Sequence, residues 1–137
     1  MIALSVDLGH ARTGLAVSDK GGFLASSLCV ITEHNDEKLI EKIAEKVEET
    51  GAEIIVVGLP RNMDGTEGES AQRARRLAEK LSARTGLPHH MQDERGTTVT
   101  AHQYLSAGKV YGKKRKQKVD AVAASIILQD YLDSRKG

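Results

Sequence analysis

Three places in this chain set carboxylates where they could do chemistry: Asp7, the adjacent pair Asp93 and Glu94, and Asp120. Asp7 ends a short, apolar, β-branched run that breaks at Gly9, and an acid there is costly unless something charged binds it. It opens the pattern Asp-x-Gly-x-x-Arg-x-Gly-x-Ala over residues 7–16, in which Gly9 and Gly14 leave room for a backbone or a phosphate. Asp93 and Glu94 close a second candidate strand, so they face opposite sides and only one can share a site with Asp7. Asp120 is followed by Ala121, Ala123 and Ala124, small residues that let a helix lie close to a sheet, with Ala124 and Ile127 on its own side. Three carboxylates converging on one edge repel one another unless a divalent cation sits among them. Mg²⁺ or Mn²⁺ accepts such oxygens and leaves positions for water and phosphate. Two such ions about 4 Å apart activate a water and stabilise the leaving oxygen of a phosphodiester.

The cations are placed to match. From Arg95 to Val119 there are seven Lys or Arg residues and no acid, and this run lies between Glu94 and Asp120. Lys113, Lys114, Arg115, Lys116 and Lys118 stand just before the helix carrying Asp120, where they could clamp a nucleic-acid backbone. Arg12, in the loop after Asp7, is a candidate phosphate contact, with a plain surface arginine as the alternative. Thr97 and Thr98 are helix caps first and phosphate donors second. His10, His89 and His90 lack a third ligand at metal-site spacing, which argues against zinc. Aromatic residues are only 3% of the chain, so recognition would depend on phosphates and shape more than on stacked bases.

These groups need a scaffold, and the periodicities supply one. Strands are expected over Ile2 to Leu8, Thr13 to Ser18 and roughly Gly22 to Ile31, joined by short links into an antiparallel meander. Residues 36–50 carry a helical stripe of Leu39, Ile40, Ile43, Ala44 and Val47, ended by Gly51. Glu53 to Leu59 is a continuous apolar strand suited to a parallel, doubly covered position. Thr66 and Glu69 have capping-box spacing before a second helix with the stripe Ala71, Ala74, Leu77, Ala78 and Leu81, stopped at Gly86. Pro88 to Gln92 reads as a fifth strand, Thr97 to Ser106 as a short helix, Gly108 to Lys116 as a flexible basic loop, and Val119 to Leu132 as a final helix. The expected fold is α/β: a five-stranded mixed sheet, three antiparallel strands then two parallel, with helices on both faces.

Composition bounds the rest. The 137 residues, 39% apolar and 28% charged, suit one globular domain over 1–137, and no linker divides it. The net charge of +1 conceals an acidic first helix region, eight acids against three lysines from Glu33 to Glu53. Cys29 is the single cysteine, so no internal disulfide forms. The apolar start meets Asp7 too soon for a signal peptide or a membrane span, which makes the cytoplasm the expected compartment.

Four blocks carry a resemblance. VDLGHARTGLAVSD (Val6 to Asp19), VGLPRNMDGTEG (Val57 to Gly68), DERGTT (Asp93 to Thr98) and KVDAVAASIILQDYL (Lys118 to Leu132) resemble, in order, the motif blocks of the YqgF family. That family is described as Holliday-junction resolvases or nucleases of pre-16S rRNA 5′-end maturation, within the ribonuclease H-like superfamily. The resemblance covers essentially the whole chain and implies a ribonuclease H-like fold. It also implies Asp7, Glu94 and Asp120 as the metal-binding carboxylates, favouring Glu94 over Asp93, with Arg95 among the substrate contacts. One departure stands in the third block, where Gly96 replaces the usual Leu. The expected function is a Mg²⁺- or Mn²⁺-dependent nuclease on structured RNA, a ribosomal RNA precursor, as part of ribosome biogenesis. Branched DNA is the alternative substrate, and a non-catalytic RNA-binding assembly factor the alternative class. An actin-like ATPase is disfavoured, because such enzymes close two domains of this kind around a nucleotide and the chain has no P-loop.

Overall fold

A computed structural model describes residues 1–62, 64–93 and 112–136, and side chains in all of these except 112–121 and 136. The strands are β1 (Ala3–Leu8), β2 (Arg12–Ser18), β3 (Ala25–Thr32), β4 (Ile54–Leu59) and β5 (His89–Asp93), and the helices α1 (Asp36–Thr50), α2 (Glu69–Thr85) and α3 (Gly112–Lys136). The sheet order is β3-β2-β1-β4-β5. β1 pairs antiparallel with β2, and β2 with β3, while β4 lies parallel to both β1 and β5. This is the mixed sheet that the strand and helix order predicts.

Alternation divides each strand between two cores. Leu4, Val6, Leu15, Ile55 and Val57 face α1 and α2, whose expected stripes are buried in full. Ala3, Ala16 and Val56 face α3 and pack with Ala124, Ile127, Leu128, Tyr131 and Leu132. The first core is built from large aliphatic side chains. The second is thin on its sheet side, and that lets α3 lie close.

Local signals account for most boundaries. Asn35 caps α1 by accepting from the Lys38 amide, and Gly51 ends it in the left-handed conformation at φ 73°. The Asp19 carboxylate accepts from the Phe23 and Leu24 amides and closes the turn into β3, which starts at Ala25 and not at Gly22.

Two expectations are corrected. Thr66 does not cap α2: its hydroxyl donates to Asp64 and accepts from Asn62, so the helix starts after Gly68 with no side-chain cap. The loop chemistry of residues 62–66 outcompetes the capping box. The basic segment up to Lys116 is not loop throughout, because α3 starts at Gly112, seven residues before Val119. Lys, Arg and Gln are strong helix formers, and no Gly or Pro interrupts residues 113–136, so the helix propagates back through the cations. The short helix expected over Thr97 to Ser106 lies outside the described residues.

Candidate nuclease site at the carboxyl edge of the sheet

The site is built where β1, β4 and β5 end together. The register pairs Val6 with Val57 and Val57 with Met91, so Asp7 stands beside Gly58, which in turn pairs with Gln92; on its other side Asp7 pairs with Gly14 of β2. In-register residues on adjacent strands share a face. Gly14, Asp7, Gly58 and Gln92 therefore form one row on the α3 face. Asp7 is half-buried, and its neighbours on both adjacent strands are buried glycines. Arg12, two residues before Gly14, falls on the same face at the same edge; both it and Asp7 interact with a neighbouring group.

The approach of α3 is set by one buried hydrogen bond. Ser5 Oγ donates to the Ala124 carbonyl at 2.7 Å, and Ser5 is fully buried. Ala3 packs with Leu132 in the same core, so moving up β1 corresponds to moving back along α3. From this contact Asp7 is two residues, about 6.6 Å, up the strand. Asp120 is four residues, about 6 Å, back along the helix and on the same helix face as Ala124. The backbone of residue 120 is thereby carried to Asp7's end of the sheet.

Strand parity decides the face of Asp93. His90 packs its ring 4.8 Å from that of Tyr131, on the α3 face, whereas Met91 packs into the α1–α2 core. Asp93 follows the parity of Met91 and lies on the face opposite to Asp7. Glu94, Arg95, Thr97 and Thr98 lie outside the described residues. Lys113, Lys114, Arg115, Lys116, Lys118 and Asp120 lie on α3, described as backbone only. Among the described residues no three His, Cys, Asp or Glu side chains cluster to hold a metal. What Asp7 offers is a hard oxygen donor, half-buried between glycines, of the kind that a divalent cation accepts.

Three features of the edge were not legible beforehand. Ser5 reads as an ordinary small residue, although its position two before Asp7 is a usable signal. Gly58 reads as part of an apolar strand. Arg73 reads as one of several exposed helix charges, yet its guanidinium donates to the Gly9 carbonyl at 2.8 Å and to Asp36 at 2.7 Å. That hydrogen bond holds the Asp36 carboxyl below its ordinary value, against a smaller opposing effect of burial. It also ties α2 and α1 to the turn after Asp7. Gly9 itself admits no side chain, since a Cβ there would lie 2.0 Å from the Arg12 carbonyl oxygen.

The chain was compared with known proteins. The family RuvX, described as Holliday junction resolvase, matches residues 1–134. A Chloroflexus aurantiacus protein named "Putative pre-16S rRNA nuclease" is 43% identical over 135 residues, 98% of this chain and 88% of that protein. A protein of the same name from Geobacillus thermodenitrificans is 41% identical over 138 residues, covering 99% of this chain and all of the relative. Among solved structures, Thermus thermophilus RuvC in complex with a Holliday junction substrate aligns with a TM-score of 0.60 at 16% identity, over 100% of this chain and 97% of that one. At that identity the likeness shows the shared fold.

Proposed function

The chain belongs to the RuvX family, the YqgF family of the motif blocks, and on that footing we propose a divalent-metal-dependent nuclease whose substrate is the 5′ end of pre-16S rRNA. Asp7, Glu94 and Asp120 are the proposed carboxylates. The observation that carries this reading is the Ser5–Ala124 hydrogen bond, from which Asp7 and residue 120 step to the same end of the sheet on one face. The position of Asp93 on the other face supports Glu94 as the third carboxylate.

A divalent cation, or two with substrate bound, would lower the pKa of an attacking water and stabilise the leaving oxygen. The chain's own residues do the positioning. Asp7, set between two glycines on the adjacent strands, supplies a carboxylate at the edge of the sheet. Arg12, at the same edge, and Arg95, Thr97 and Thr98 engage phosphate oxygens. Lys113, Lys114, Arg115, Lys116 and Lys118, on the first turns of α3, hold the backbone of the substrate leading to the carboxylates. Relatives at 41 to 43% identity, matched over 88 to 100% of their length, carry the rRNA name, and this favours RNA over the junction DNA of the family description. Such an enzyme would act in the cytoplasm, where ribosomal precursors are processed.

The test is cleavage of labelled precursor rRNA and of a four-way DNA junction side by side, with Mn²⁺ and with chelator. Metal-dependent cutting of the RNA at its mature 5′ end supports the proposal. Cutting of the junction alone would move the substrate to branched DNA, and binding of RNA without cutting under any metal would make the protein an assembly factor. Within the site, Glu94→Gln should depress cleavage far more than Asp93→Asn.

A further inference from the structure

The same edge has a second recess, on the other side of the sheet. A cleft of about 510 Å³ opens between Gly9 and His10, in the turn after β1, and the amino-terminal turns of α2, where Ser70, Arg73 and Arg76 line it. Its lining carries two guanidiniums, of which Arg73 is paired with Asp36, and one carboxylate, Glu69. Arg73 is held in place by the Gly9 carbonyl and Asp36, so its position is fixed before anything binds. Arg76 is exposed, with no hydrogen bond or ion pair to another described residue, although its charge reaches Asp36. The first turn of α2 has no side-chain cap, and a helix N-terminus of this kind favours an anion beside it.

Resting on the nuclease reading above, we propose that this cleft binds a backbone phosphate of the substrate strand after it crosses the carboxyl edge of the sheet. Asp7 faces α3, the cleft faces α2, and only Leu8 separates Asp7 from Gly9. Two residues of extended chain span about 6.6 Å, the scale of one to two phosphates along a strand. The strand is then gripped on both sides of the edge: by the cations at the start of α3 before the carboxylates, and by Arg73 and Arg76 beyond them. None of the cleft residues is one of the proposed carboxylates, so binding there is separable from chemistry.

The experiment measures the affinity of a labelled RNA hairpin with single-stranded extensions, against salt, for the wild type, Arg76→Ser and Glu69→Gln. Arg76 and Glu69 are exposed, and unchanged thermal midpoints confirm that both variants fold. Arg76→Ser should weaken binding and reduce the log–log salt slope by about 0.7, the counterion release of one single-strand phosphate. That makes the affinity lost between 50 and 200 mM salt smaller by about two- to threefold. Glu69→Gln should tighten binding, and a hairpin trimmed of the extension that reaches α2 should make both variants match the wild type. Variants indistinguishable from the wild type on RNA that the wild type binds would overturn the cleft while leaving the nuclease reading in place. No binding of RNA by the wild type would overturn both. Stabilisation by inorganic phosphate that Arg76→Ser abolishes, with RNA affinity untouched, would assign the cleft to free phosphate and overturn its place in the substrate path.

Discussion

The two faces of the sheet are built on different principles. Beneath α1 and α2 the strands present Leu4, Val6, Leu15, Ile55 and Val57 to helices carrying Leu39, Ile43, Leu77 and Leu81, all essentially buried. Across the rim of that face, α1 and α2 are laced by Arg73–Asp36, Lys80–Glu37 and Arg84–Glu41 ion pairs. Beneath α3 the strands present Ala3, Ser5 and Ala16, and the row at the edge reads Gly14, Asp7, Gly58. Large side chains give stability and hold helices off the sheet, whereas small ones give closeness. The proposed carboxylate chemistry suits the second face, because small strand residues there let a helix come close to the sheet.

This contrast can be broken at its stable side first. Ile43→Ala, in the thick core, should lower unfolding stability by about 2–5 kcal/mol, read by denaturant titration. A loss below about 1 kcal/mol would mean that the α1–α2 core is not the main source of stability. On the thin side, Ala124→Leu should cost about 1–3 kcal/mol by overpacking. It should also lift α3 from β1, so cleavage falls further than stability does. Cleavage at the wild-type rate in that variant would show that the closeness of α3 to β1 is not needed for the site.

The smallest effect is the pH response of the rim. Arg73 holds Asp36 below its ordinary value of 3.8, so the folded protein binds that proton less tightly than the unfolded chain. The pair's stabilisation is therefore complete above that value and fades as pH falls through it toward the lower folded value. Asp36→Asn should cost under about 1 kcal/mol at neutral pH, the pair being partly solvent-screened. The difference from wild type should vanish in strong acid; a difference that grew on acidification would contradict this account of the pair.

How much was legible in the sequence follows from the same contrast. The stripes of α1 and α2 and the alternation of β1, β2 and β4 are written in large apolar residues, and their periods reveal which side is buried. The parallel pairing of β4 was readable from its unbroken apolar run. The start of α3 was not, because a run of cations carries no apolar period to mark it as helix. Nor was the absence of a cap at Thr66, where Asp64 competes for the hydroxyl two residues away. At the edge, Asp7 stood out as an acid closing an apolar strand. Asp93 could be assigned a face only after His90 was seen against Tyr131, since two adjacent acids look alike until the strand's parity is known. Ser5 and Gly58 gave little signal, because a small residue on a thin face differs little from one in any turn.

The most direct test of the central claim compares Asp7→Asn with the wild type in two measurements on one preparation: cleavage of precursor rRNA in Mn²⁺ and thermal unfolding in chelator. The claim is that Asp7 is kept at this edge for chemistry rather than for folding. It predicts loss of cleavage with an unfolding midpoint equal to or above that of the wild type, because one charge of the proposed carboxylate cluster has been removed. Wild-type cleavage, or a variant that fails to fold, would contradict it.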